Sequence, residues 1–143
     1  MATLEAAIAA IQTSIASISG IRSAPALPPE KMTAGVFPFV VAYPDTGTVE
    51  VNTPGEMKFL HNIVIEIHVA RKDLPRDVDT LYPYAESVPN KIFTDVTFGG
   101  AIQTFGALSY TFGVLNWGDG DTAIQTIGFR WTMEDVKILY IVT

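Results

Sequence analysis

Few residues in this chain could do chemistry, and their spacing keeps them apart. His61 and His68, the two histidines, sit in the stretch FLHNIVIEIHVA (Phe59 to Ala70), which alternates strictly between apolar and polar positions. An extended chain repeats every two residues, so an odd separation sends the two imidazoles to opposite faces. They cannot share a metal through that strand. The chain has no cysteine to complete a zinc site, act as a thiolate or form a disulfide. A Ser-His-Asp triad remains spatially open, but no G-x-S-x-G elbow accompanies it. Asp119-Gly120-Asp121 carries two oxygens' worth of a calcium loop without the distal Glu and intervening ligands. A hairpin turn accounts for it more simply. Asp77 and Asp79, two apart on a predicted helix, diverge into solvent. Gly99-Gly100 lacks the spacing of a phosphate cradle. Trp131 reads as core, whereas Trp117, at a turn, is the better interface anchor. The expectation is no catalytic residue, no metal and no cofactor: not an enzyme.

The elements that would position these residues are legible from periodicity. Leu4, Ile8, Ile11, Ile15 and Ile18 place one apolar stripe on a helix from Leu4 to Ser19, with Thr3 as N-cap and Gly20 as a left-handed C′ residue. The proline-rich connector from Ile21 to Gly35 leads into a strand from Val36 to Tyr43, with Pro38 at its start or on an edge. Pro44 to Gly47 is a turn. Thr48 to Lys58 is polar, either a protruding β-ribbon or a loop, and a natural place to touch another protein; the plain alternative is passive surface. Phe59 to Ala70 is the central strand, with one face on helices and the other meeting solvent or a partner. Leu74 to Asp95 has helical spacing but contains Pro83 and Pro89, which predict a kink or interruption. Ile102 to Leu115 is a second strand, with Gly106 and Gly113 as possible bulges or close approaches. Asn116 to Asp121 reverses the chain, and a return strand ends near Asp135. The apolar segment from Val136 is expected to pair at a sheet edge or dock on a neighbouring subunit. The fold class is α+β: one domain over residues 1–143, with a mostly antiparallel sheet and two main helices packed on one face.

Composition narrows the function classes. A chain of 143 residues fits one domain with a real core. With 48% hydrophobic and 17% charged residues, part of the apolar surface is expected to become subunit interface. A net charge of −6 with nine scattered basic residues argues against gripping a nucleic-acid backbone. No stretch reaches the length of a membrane span, and the N-terminus lacks the basic start of a signal peptide. A soluble, intracellular protein is expected.

Taken in order, the N-terminal apolar helix, the PALPPE connector, the strand FPFVVAYPDTG, the polar excursion, the long strand and helix, FTDVTFGGAIQTFG and a hairpin closing on FRWTMEDVK resemble the tail terminator (tail completion) proteins of long-tailed bacteriophages and related head–tail joining proteins. The resemblance spans nearly the whole chain and rests on order and texture, with no chemical signature. It implies a structural virion protein: a subunit of a homo-oligomeric ring, commonly a hexamer, made in the host cytoplasm. The ring would cap the tail tube and join it to the head-completion or connector protein. Double-stranded DNA would pass an anionic lumen without specific binding, and no membrane is involved. Under that resemblance the partner-binding candidates are Thr46, Glu50, Asn52, Thr53 and Glu56 in the polar excursion, and Trp117, Asp119 and Asp121 at the later turn. The rivals are a tail tube or other neck subunit of the same architecture, and then a small cellular enzyme or ligand-binding domain.

Overall fold

The computed structural model describes residues 3–22, 37–70, 74–117 and 124–141. Its elements run α1 (Leu4–Ala16), β1 (Phe39–Thr53), β2 (Glu56–Ala70), α2 (Leu74–Leu81), α3 (Tyr84–Thr94), β3 (Ala107–Trp117) and β4 (Ile124–Ile141). The strands form one sheet of order β1-β2-β4-β3 in which every neighbouring pair is antiparallel. This is the expected α+β architecture with helices on one face. The connector from Ser23 to Val36 and the turn from Gly118 to Ala123 lie outside the described residues.

β2 is central as its alternation predicts. Ile63, Ile65, Ile67 and Val69 are buried in one core with Phe129, Trp131 and Met133 of β4, Ala7, Ile11 and Ile15 of α1, and Val88 and Ile92 of α3. Burying an aliphatic side chain of this size is worth about 1.5–3 kcal/mol, so the layer of isoleucines fixes which face the helices cover. Thr3 caps α1 as expected, its hydroxyl accepting from the Ala6 N–H at 3.1 Å. The helix stops at Ala16, short of Ser19. The Ser17 hydroxyl donates to the Ser14 carbonyl at 2.6 Å and competes with a further turn. The second helical region is interrupted at Tyr82–Pro83, giving α2 and α3, while Pro89 is accommodated inside α3.

The polar excursion takes one of its two expected forms, and other expectations change. The polar excursion is a ribbon: β1 and β2 stay paired out to Thr53 and Glu56, with Gly55 in the left-handed region at φ 83°. β3 starts at Ala107, since Ile102 to Gly106 is irregular apart from a bridge between Thr104 and Lys137. The apolar C-terminal segment continues β4 and pairs with Glu56 to His61 of β2. The close backbone approach falls at neither Gly106 nor Gly113. It falls at Gly128, where a Cβ would run into the Ile67 carbonyl.

The ribbon joins the body through two matched irregularities. Between the levels of Ile63 and His61, β1 carries one residue more than β2 (Pro44 to Gly47), and β4 does the same (Met133 to Val136). An extra residue on one strand is a β-bulge, which bends and twists the sheet. Asn62 lies between them. Its Nδ2 donates to Thr46 Oγ1 at 2.8 Å, and its Oδ1 accepts from the Asp135 N–H at 3.2 Å. Asp135 itself has φ 54°, a left-handed conformation that Asp tolerates better than most residues.

Candidate functional site

The sheet face opposite the helices is closed over β1 and β2, where the sequence suggests solvent or a partner. Phe39, Val41, Val64, Glu66, His68 and Thr126 are all buried there. Glu66 and His68 look like the solvated half of an alternating strand, but residues from two other strands take them up. Phe39 of β1 stacks on the imidazole, centroids 4.6 Å apart and planes 7° from parallel. His68 Nε2 reaches Glu66 Oε1 at 2.9 Å, and Nδ1 pairs with the Thr126 hydroxyl of β4. The Tyr43 hydroxyl of β1 donates to Glu66 Oε2, and Arg130 Nε lies 3.8 Å from that oxygen. Burial works to raise the Glu66 carboxyl. The hydrogen bonds from His68 and Tyr43, with the charges of His68 and Arg130, outweigh it and hold the group below its usual range. Burial and the neighbouring carboxylate push Tyr43 above the ordinary phenol range.

A hydroxyl, an imidazole and a carboxylate in this order have the outline of an activated nucleophile. Their environment gives them a different role: His68 and Thr126 are fully buried, and a β-branched hydroxyl sealed at a strand–strand contact meets no substrate. The cluster braces β1, β2 and β4 together. His61 lies on the other face, stacked on Phe59 at 5.4 Å, where burial lowers its basicity. It lines an apolar depression of about 220 Å³ with Leu4, Ile138 and Tyr140. His61, Glu66 and Arg130 therefore do not converge on one pocket. Among the described residues, no three His, Asp or Glu side chains gather as a metal site. No helix among them is long and apolar enough to cross a membrane.

The sequence candidates separate to the two ends of the sheet. Glu50, Thr53 and Glu56 lie on the ribbon near its tip, and Glu50 pairs with Lys58 at 2.8 Å. Asn52 is there by its backbone, its side chain lying outside the described set. Thr46 sits at the ribbon's base, where Asn62 uses its hydroxyl. Trp117 pairs through its backbone with Ile124 at the opposite end; its side chain, and all of Asp119 and Asp121, lie outside the described residues. At about 3.3 Å per residue, the length of β2 puts roughly 50 Å between the two ends.

Composition leads to an expectation of exposed apolar surface, but the sequence reading does not place it on β3. Leu108, Tyr110, Phe112 and Val114 share one side of β3 as their alternation predicts, yet Tyr110, Phe112 and Val114 remain 53, 41 and 50% exposed. The cause is an offset between layers. α1 packs on β1 and α2 on β2 and β4, so β3 carries its apolar row beyond the helices. Tyr110 leans on Phe129 and Trp131, and Phe112 on Phe129. At the other edge, α1 and β1 frame a groove of about 600 Å³ lined by Leu4, Ile8, Ala9, Gln12, Ala42 and Pro44 among others. Val49 and Val51 of the ribbon are exposed as well, at 58 and 83%. Contiguous apolar exposure of this kind marks contact surfaces. No family model matches the chain, and no curated protein matches it at significant similarity.

Proposed function

We propose that this chain is a structural virion subunit, a tail terminator whose copies close into a ring that caps the tail tube and joins it to the head-completion complex. The observation that carries the reading is the placement of two unlike apolar surfaces, the β3 row and the α1/β1 groove, on opposite edges of one sheet. A subunit that offers different patches on opposite sides associates head to tail, and such contacts close into a ring when the rotation closes. The two ends of the sheet are then left for unlike neighbours. The ribbon, with Glu50, Thr53 and Glu56, is the candidate for the tube or an adjoining subunit, and the segment from Trp117 to Asp121 is the second candidate. The net charge of −6 per subunit, repeated around a lumen, lets duplex DNA pass without adhering, because too few cations are present to displace its counterions. The ring number expected from the resemblance is six.

Light scattering and negative-stain electron microscopy of the purified protein test this reading. Closed rings of one size support it. Long filaments move the protein to the tail tube class, and a monomer that converts a small molecule moves it to the enzymes.

A further inference from the structure

We infer that the joint between copies is a lap joint with no shift along the strands, in which α1 of one copy covers the bare apolar row of β3 on the next: Tyr110 enters the α1/β1 groove level with Ala42, and Phe112 and Val114 continue past it, Phe112 level with Val40. The inference rests on the ring reading above and names the surfaces that make it. The offset between layers is its first basis. The helical layer reaches the β1 edge and leaves β3 bare, so a neighbour's α1 lies where the missing cover for β3 should be.

Register is the second. Ala42, Ile65, Trp131 and Tyr110 form one cross-strand row, and Pro44, Ile63, Met133 and Leu108 form the next. Directly paired residues point to the same face, so Tyr110 and the groove residue Ala42 stand at the same height, on the same face, at opposite edges. β1 and β3 also run in opposite directions, three antiparallel steps apart. A rotation about an axis along the strands therefore lays one edge beside the other without inverting the subunit or adding a rise. A rotation with no rise keeps successive copies in one plane and closes when it divides the full turn, whereas one with a rise winds into a filament.

The near absence of charge on both surfaces points to a second copy as the occupant. β3 has no charged residue in its 11 positions (ALSYTFGVLNW). A bare edge strand of that kind invites pairing unless a specific partner covers it. The groove presents one carboxylate, Glu5, so two chains of net charge −6 meet there through nearly neutral surfaces. Gln12 Oε1 already accepts the Ala42 N–H at 3.0 Å, which makes the joint side-chain packing and not a continued ladder at that point. The exposed parts of Tyr110, Phe112 and Val114 amount to roughly 300 Å², well below the ~800 Å² per partner of a stable pair. A single joint is thus weak, and the subunit is held by having two. Assembly should pass from monomer to ring with little dimer between.

The cysteine-free chain permits a direct test with single thiols. Ala9→Cys and Tyr110→Cys variants, each at an exposed position, are treated with a short bismaleimide. Neither should cross-link alone, their mixture should yield a dimer, and the double variant should yield a ladder ending at the ring size. Ala9→Arg and Val114→Arg should each raise the concentration needed for assembly at least tenfold while circular dichroism stays unchanged. Rings that persist in both arginine variants, or either cysteine variant linking to itself, overturn the joint and leave the ring reading standing. A wild-type protein that is monomeric or filamentous at every concentration overturns both.

Discussion

Replacing Glu66 by alanine should be among the most damaging single changes in this protein, although no ligand contact is involved. The carboxylate lies 5% exposed and takes hydrogen bonds from the Tyr43 hydroxyl and His68 Nε2, with Arg130 Nε at 3.8 Å. Removing it takes a partner from the buried His68, at about 1–3 kcal/mol, and from the half-buried Tyr43 hydroxyl, at somewhat less. Arg130 adds little, because its side chain is 44% exposed and stays hydrated. The expected loss is about 3–5 kcal/mol, as for breaking a buried pair from one side. For a domain of this size that corresponds to a fall in Tm of roughly 10–15 °C. Glu66→Gln keeps the shape and one acceptor and should cost about half as much. Urea melts followed by circular dichroism measure both, and a cycle with Tyr43→Phe should return a coupling of about 1 kcal/mol or more. The pH dependence has a definite sign. The folded carboxyl lies below its unfolded value of 4.5, so its contribution is full above that pH and drains away as pH falls through the folded value. Glu66→Gln should flatten the acid limb below pH 4.5 and leave the neutral region parallel to wild type. A loss under about 1 kcal/mol for Glu66→Ala would mean that water reaches the cluster, and the bracing role would be wrong.

Asn62→Ala removes one bond to each bulge and should cost about 1–2 kcal/mol in urea melts, with faster amide exchange at Asp135. Gly128→Ala should prevent β2 and β4 from pairing at Ile67, giving insoluble or unfolded protein, or a loss above about 4 kcal/mol. Thr3→Ala should cost about 1 kcal/mol through the lost N-cap, seen as early fraying of α1 by amide exchange. At physiological salt, the assembled protein should leave the electrophoretic mobility of duplex DNA unchanged.

Much of the architecture is written locally, and what is not written locally is where the sequence reading failed. Ile63, Ile65, Ile67 and Val69 alternate within a few residues, so the central strand and its core face follow from side-chain period alone. Pro83 marks the helix break because its own ring causes it. The closed second face depends on Phe39, Tyr43, Thr126 and Arg130 meeting Glu66 and His68, and strand register between distant segments is not encoded in any one of them. Val136 onward reads as a separate terminal piece because the positive φ at Asp135 interrupts alternation, although the ladder to β2 continues across it. Trp131 is placed correctly by its strand. The exposed row of β3 is missed for another reason: alternation shows which side chains share a face, not whether a helix extends far enough to cover them. The ribbon candidates Glu50, Thr53 and Glu56 gather on one projection, since the polar run that marked them is also what keeps that projection uncovered.

Pinning both irregularities to a single amide has a mechanical consequence. Slippage of any strand by one position would exchange inward and outward side chains, and here it would also have to break the Asn62 clasp on β1 and β4 together. A force applied at the hairpin tip is thereby shared among three strands in shear rather than peeling them apart one by one. Pulled at its tip, the projection should therefore resist until all three strands yield together, and Asn62→Ala should lower that resistance.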